Sequence, residues 1–235
     1  MRIGTWNLAG HWDARRRELI ERLDVDVWLF TEVSERSDLP GFDAVWTHSE
    51  MAPRRRWAAI FAREGLRLLP QPHPATAAAT HAGLILWSSI LPWRTCGGQP
   101  PWVGHDHAER TRAALDVLAS AASDGPLVWG GDWNHALHGP EHAGSKAGRA
   151  ALLATIDRLG LAVPTAQLGH QLPGLLTIDH IAVPTTWRCK ARRVSALLDG
   201  TQLSDHDIYL VDARDIRSAA IGSQRFARPW RSGDE

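Results

Sequence analysis

PLVWGGDWNHALHG, residues 126–139, is the stretch on which the fold turns. Its LVW run is short, apolar and bounded by turn residues, as a buried strand is. The strand ends in Asp132 and Asn134 with Trp133 between them, then runs into His135 and His138. On extended backbone, residues two apart share a face, so Asp132 and Asn134 are expected to point one way and Trp133 the other, into a core. Two chemistries compete for this strand end: a histidine metal site built on His135, His138 and His142, or a carboxylate and amide pair. Gly139 and Pro140 interrupt the helix that the histidine set needs, which weighs against it.

Working outward, RIGTWNL reads as a short strand ending near Asn7, and DARRRELIERL as a helix with Asp13 as its N-cap. VDVWLFTEV returns to strand, and further strands are expected at DAVWT, WAAIFA, AGLILWSSIL, PLVWG, TIDHIAV and DIYLVD. DHAERTRAALDVLASAA carries helical periodicity with an Asp106/Glu109 capping-box pattern, and SKAGRAALLATIDRLG a second such helix ending at Gly160. Some strand pairs are joined too closely for helical crossovers. The expected architecture is therefore α/β, with two mixed sheets packed face to face and helices outside.

At 235 residues the chain suits one large domain. Residues 1–215 are read as that domain, and 216–235, which lack sustained periodicity, as a mobile tail. Neither a charged signal-peptide start nor an apolar run of about 18 residues occurs, so a cytoplasmic protein without a transmembrane segment is expected. The formal net charge is zero, which leaves local patches but no global field drawing the chain to nucleic acid or membrane. Cys96 and Cys189 lie far apart, against a thiolate zinc site. No feature points to a protein partner.

Polar residues recur at strand ends: Asn7 in TWNL, Glu32 in FTEV, Asp132 and Asn134 in GGDWN, Asp179 in TIDHI, and Ser204, Asp205 and His206 in LSDHD. Sheet folds commonly gather ligand groups there. A carboxylate-rich site without thiolates suits Mg²⁺ or Mn²⁺, which keep positions for water and phosphate oxygens. Phosphodiester hydrolysis meets that description. Ser204 lacks a nucleophile elbow and is read as a loop-positioning residue, while His180, one residue past Asp179, is expected to face away into the structure.

On the blocks WNL, TEV, GGDWN, IDHI and SDHD, in that order across residues 3–212, the sequence resembles the endonuclease/exonuclease/phosphatase superfamily. The resemblance implies a four-layer α/β sandwich with the site at one edge of two packed sheets. It implies that Glu32 ligates the metal with Asn7 and Asp205, and that Asp132 orients and deprotonates the attacking water. Asn134 would hold that water or a phosphate oxygen. His206, partnered by Asp179, would stabilise charge developing on the phosphate. Relatives commonly place a His or Tyr between the Glu block and the GD-N block, to contact the phosphate or protonate the leaving group; here LILWSSILPWRTCGG, residues 84–98, has neither. Arg94 is a candidate replacement by charge, and His105 or His107 by reaching in from the next loop, each equally readable as a solvated loop residue.

The function expected is Mg²⁺- or Mn²⁺-dependent hydrolysis of phosphodiester bonds, foremost in DNA or RNA. The alternatives are a small phosphoester or phospholipid headgroup as substrate, or a non-catalytic binding module. Arg54, Arg55, Arg56 and Arg63, with Arg192 and Arg193, could form a basic face or be solvated charges. Trp12 and Trp102 could stack on bases or line a lipid pocket.

Overall fold

Alternation along the first strand places two cores at once. In β1 (Arg2–Asn7), Ile3 joins one cluster of buried side chains and Trp6 another. The structure, a computed structural model, describes residues 1–215; the tail expected from residue 216 lies outside the described residues. After β1 the chain forms α1 (Ala14–Arg22), β2 (Val27–Ser34), β3 (Asp43–Trp46), β4 (Glu50–Ala52), β5 (Arg55–Ala62), β6 (Arg67–Leu68), β7 (Thr76–His81) and β8 (Leu84–Ser89). It continues through α2 (His107–Ala121), β9 (Leu127–Asp132), α3 (Lys146–Arg158), β10 (Leu161–Ala162), β11 (Asp179–Pro184), β12 (Trp187–Val194), β13 (Leu197–Leu198), β14 (Thr201–Gln202) and β15 (Ile208–Asp215).

Two mixed sheets result. The first runs β12-β15-β1-β2-β5-β3, with β4 also on β5, and the second runs β10-β11-β9-β8-β7-β6. β1 pairs parallel with β2, and β8 parallel with β9, inside otherwise antiparallel sheets. Between the sheets lie Ile3, Val27, Leu29 and Ile60 from the first and Leu86, Val128, Ile181 and Val183 from the second. Trp6, Trp28 and Phe30 face outward against Leu19 and Ile20 of α1. Trp129 and Trp133 face outward on the other side, with Leu115 and Leu118 of α2 and Leu152 and Ile156 of α3. Helix, sheet, sheet and helix make the four layers expected.

Each helix starts where a side-chain oxygen meets an unpaired backbone donor. Asp13 accepts from Arg16 N, Asp106 from Glu109 N and Ser145 from Gly148 N. Glu109 returns its carboxylate to His105 N at 2.8 Å, one residue earlier than a capping box requires. Gly160, at φ +63°, follows α3 in the left-handed conformation that ends a helix.

Candidate active site

The two glycines before Asp132 explain how that residue reaches the seam between the sheets. Gly131 has φ +125°, and a Cβ there would stand 2.2 Å from the carbonyl oxygen of Ser89 on β8. Only a residue without a side chain lets β9 lie that close to its neighbour. Asp132 then closes β9 directly opposite Asp179, the first residue of β11. From the first sheet, Asn7 ends β1 in register with Thr31 of β2, next to Glu32. Glu32 has φ +47°, a conformation that is uncommon for a residue with a side chain and concentrates at functional sites.

These ends are joined by hydrogen bonds across the seam. The Asn7 amide donates from Nδ2 to Glu32 Oε1 at 3.2 Å and to Asp132 Oδ2 at 3.0 Å. Its Oδ1 accepts from Ala9 N at 2.9 Å. His206 Nδ1 lies 2.7 Å from Asp179 Oδ2, and its Nε2 lies 4.0 Å from Asp132 Oδ2. The backbone of His206 is itself fixed, since Trp6 Nε1 donates to its carbonyl at 3.0 Å and its N–H donates to Ser204 Oγ at 3.1 Å. Ser204 Oγ in turn donates to Asn7 O at 2.7 Å.

The electrostatics follow from burial. Asp132 is 3% exposed, and burial, reinforced by the charge of Asp179, raises its pKa to about 7, against the opposing pull of His206 and the hydrogen bonds from Asn134 and Asn7. Burial acts against a charged His206, but the charges of Asp179 and Asp132 and the hydrogen bond to Asp179 outweigh it and raise its pKa to about 10. His206 is therefore an imidazolium at neutral pH, and Asp132 a carboxylate poised near the pH at which a general base works best.

A family model described as the Endonuclease/Exonuclease/phosphatase family matches residues 4–206. The chain belongs to that family. It is accordingly a hydrolase of the phosphoesterase and nuclease type, acting on phosphoester bonds. Among solved structures, this endonuclease/exonuclease/phosphatase chain is similar to the endonuclease domain of TRAS1, a telomere-specific non-LTR retrotransposon, with a TM-score of 0.65 at 14% identity over 92% of this chain and 98% of that one. An AP endonuclease from Archaeoglobus fulgidus has a TM-score of 0.61 at 17% identity, covering 90% of this chain and 98% of that one. A humanized TDP2 of D. rerio has a TM-score of 0.58 at 17% identity, covering 91% of this chain and 98% of that one. At these identities the likeness is one of fold. No curated relative matches the chain.

Within this family member, several residues sit differently from their sequence reading. Asp132 and Asn134 do not share a strand face, because β9 stops at Asp132 and Asn134 has φ +53°. They meet instead through a turn in which Asn134 N donates to Asp132 Oδ1 at 3.0 Å, while Asn134 Nδ2 is tied to Leu91 O at 3.0 Å. Trp133 is fully buried, as alternation requires. Asn7, expected as a metal ligand, turns its NH₂ rather than its oxygen to the carboxylates and brackets them. Asp205 is exposed and stands outside the hydrogen-bonded cluster.

Two of the three candidates for the missing donor, Arg94 and His107, are engaged elsewhere. Arg94 is exposed and clamps the loop after Asn134, with Nε on Gly144 O at 2.8 Å and its backbone N–H on Ala143 O at 2.8 Å. His107 begins α2 and uses both ring nitrogens, on Ser145 Oγ at 2.9 Å and Pro92 O at 3.0 Å, so it is part of the framework. His105 is exposed, and its ring makes no hydrogen bond among the described residues. Trp102 is buried against Trp57 and His73.

The histidine metal site does not assemble. His135 is buried and held neutral, its pKa lowered to about 4 by burial, while His138 is exposed and His142 packs against His170. His180 is likewise buried, donating from Nε2 to His135 O at 2.9 Å, with its pKa lowered to about 4 by burial. Two groups near the cluster have neighbours that the sequence does not signal. Arg55 donates from Nη1 to Glu32 Oε2 at 3.0 Å, lying over Gly10, whose missing Cβ would stand 2.1 Å from the guanidinium. The RRR run signalled charge there but not this partner. His170 lies 6.4 Å from His206 between ring centroids, in a segment with no motif to mark it.

Among the described residues, Asp132, Asp179 and His206 offer ligand atoms within 4.8 Å of one another. A hard divalent cation prefers oxygen donors, which the carboxylates supply without the imidazole. The donor chemistry fits a hard divalent cation on the Glu32 side. Three carboxylates, of Glu32, Asp132 and Asp179, face two cations, Arg55 and His206. Asp179 Oδ1 is buried without a hydrogen-bond partner. The cluster therefore has negative charge to spare and only oxygen ligands to offer.

Proposed function

We propose that the protein hydrolyses phosphodiester bonds in nucleic acid, using Mg²⁺ or Mn²⁺ with Glu32 as its main protein ligand. Bound there, the cation would neutralise phosphate charge and lower the pKa of water. The observation that carries the reading is the chain of contacts from Glu32 through Asn7 and Asp132 to His206 and Asp179, which spans both sheets.

Asp132 Oδ2 accepts a proton from the attacking water, as its raised pKa suits. Asn7 keeps that carboxylate in place and Asn134, whose Nδ2 is tied to Leu91, offers its Oδ1 to the water. His206, charged and oriented by Asp179, donates from Nε2 to a phosphate oxygen on which charge develops. Asp179 positions His206 and does not itself touch substrate.

Support for a polyanionic substrate comes from the cleft beside Glu32. It has a volume of about 330 Å³ and is lined by Trp12, Ser34, Arg36, Arg54 and Arg55. Arg36 and Arg54 have no carboxylate partner among the described residues, whereas Arg56 pairs with Glu35 and Glu50, Arg63 with Asp24, and Arg193 with Asp207. Two unpaired guanidiniums beside half-buried Trp12 suit a second phosphate and a base or sugar face. No helix among the described residues is long and apolar enough to cross a membrane.

The test is turnover of oligonucleotides and of small phosphoesters with Mg²⁺ or Mn²⁺. Cleavage of oligonucleotides that stops with EDTA and with Asp132→Ala supports the reading. Turnover of small phosphate esters alone would move the substrate class, and cleavage indifferent to both EDTA and Asp132→Ala would end the mechanism.

A further inference from the structure

The segment 84–98 brings no His or Tyr to the cluster, yet another imidazole, that of His170, stands beside His206, with His142 against it in turn. His170 belongs to a loop that folds back on itself: Thr177 N donates to Leu168 O at 3.0 Å, Gly169 bridges Leu176, and His170 N donates to Leu175 O at 2.8 Å. The hydroxyl of Tyr209 donates to Gly169 O at 3.0 Å and fastens this loop to β15. The His170 ring meets that of His206 edge to face, at 6.4 Å and 65°. On its other side it meets His142, at 5.2 Å and 76°.

His142 comes from the loop after Asn134, which is also fastened. Arg149 donates to Glu141 Oε2 at 3.0 Å and to Gly139 O at 2.8 Å, and Gly144 N donates to Glu141 Oε1 at 3.0 Å. Both ring nitrogens of His142 are buried and lack a hydrogen-bond partner. Unsatisfied buried polar atoms are rare in folded proteins, and a pair of them on the ring packed against His170 marks a place that a ligand completes.

The proton on His170 can be located. Leu172 N–H donates to His170 Nδ1 at 2.9 Å, so that nitrogen carries a lone pair and the ring's one proton sits on Nε2. Burial lowers the pKa of His170, in keeping with a neutral ring. The cluster thus sets a neutral imidazole donor next to a charged one.

We propose that His170, backed by His142, is a further catalytic residue of the phosphodiesterase reaction, donating a hydrogen bond from Nε2 to the leaving oxygen of the scissile phosphodiester. The proposal rests on the phosphodiesterase reading above. As the oxygen of water bonds to phosphorus, the bond to the leaving oxygen breaks and one water proton passes to Asp132. The departing oxygen, held by His170, takes its proton from solvent, and Asp132 returns its own to solvent. His170 keeps its proton throughout, so it stabilises developing charge and does not act as the acid.

The test compares His170→Ala and His170→Gln on two diesters with Mn²⁺: an oligonucleotide, whose leaving group is an alcohol, and bis(p-nitrophenyl) phosphate, whose leaving group needs little help. Removing one such donor is expected to lower kcat on the oligonucleotide by about 10²-fold. On the p-nitrophenyl diester kcat should hardly change, and His170→Gln, which still offers an N–H, should recover part of the loss. An equal fall on both substrates with no rescue by Gln, or an unchanged kcat on the oligonucleotide, overturns the proposal. Should the wild-type protein cleave neither diester, the phosphodiesterase reading itself has failed. In that event the histidine NMR signals titrated with inorganic phosphate decide separately: a shift of the His170 Nε2–H supports the donor role, and a shift of His206 without His170 overturns it.

Discussion

His206 Nδ1 and Asp179 Oδ2, 2.7 Å apart, are the one charged pair in the cluster that ties the entry to β15 in one sheet to the start of β11 in the other. The pair therefore acts on stability, and its effect depends on pH. The folded imidazole holds its proton to about pH 10, whereas the unfolded one releases it near 6.5. The contribution is full below pH 6.5 and is lost as pH rises through 10. In EDTA, urea unfolding should show wild-type stability falling by a few kcal/mol, on the order set by 1.36 kcal/mol per pKa unit, between pH 7 and 10.5. His206→Ala should be less stable at pH 7 and lack that slope.

Asp132 carries the opposite burden at neutral pH. Its folded carboxyl keeps a proton up to about pH 7, while the unfolded one loses it near 3.8, so stability declines as pH rises from 3.8 to 7 and stays lower above. Asp132→Asn removes the buried charge but sets one amide against that of Asn7, which offsets part of the gain. Metal-free Asp132→Asn at pH 8 should be stabilised by about 1–2 kcal/mol, raising Tm by several degrees in calorimetry, with a smaller gain at pH 5. Its turnover should fall by about 10²-fold or more, as loss of a general base does.

The cleft beside Glu32 predicts a selective loss of affinity. Arg54→Ala and Arg36→Ala should each raise KM for an oligonucleotide about threefold to tenfold at moderate salt while leaving kcat near wild type. Each should also flatten the dependence of log KM on log salt by about 0.7–0.9. Steady-state kinetics across a salt series would show it, and KM for a p-nitrophenyl diester should stay unchanged.

Gly131→Ala tests the route by which Asp132 reaches the seam. The added Cβ would meet Ser89 O at 2.2 Å in a backbone conformation that alanine disfavours. Strain and overpacking together should cost about 2–5 kcal/mol, visible as a lower urea midpoint with an unchanged slope.

Much of this arrangement is legible in the chain because the signals are local. The aromatic and β-branched composition of β2 marks a strand, and Asp13, Asp106 and Ser145 mark helix starts by the donors they satisfy. β7 is harder to see, since its TAAATH run is alanine-rich and forms a strand only because small residues fit the packed seam, where Ala77 and Ala79 are fully buried. β12, with alternating exposure and many charges, is an edge strand with no apolar run to mark it. Within the site, the short blocks contain Glu32, Asp132, Asp179 and His206, each a carboxylate or imidazole in or beside a strand. The bond from Arg55 to Glu32, the turned amide of Asn7 and the meeting of His142 with His170 depend on loops whose paths no local pattern sets.

The place of β15 in its sheet has a consequence for the making of the protein. β15 lies inside the first sheet, between β12 and β1, and the turn just before it supplies His206. Asn7 and Trp6, made at the start of synthesis, find their partners Ser204 and His206 about two hundred residues later. A nascent chain that has not yet produced Ile208–Asp215 lacks the strand that pairs with β1 and follows the turn carrying His206. The cluster therefore closes only after β15 has been made and paired.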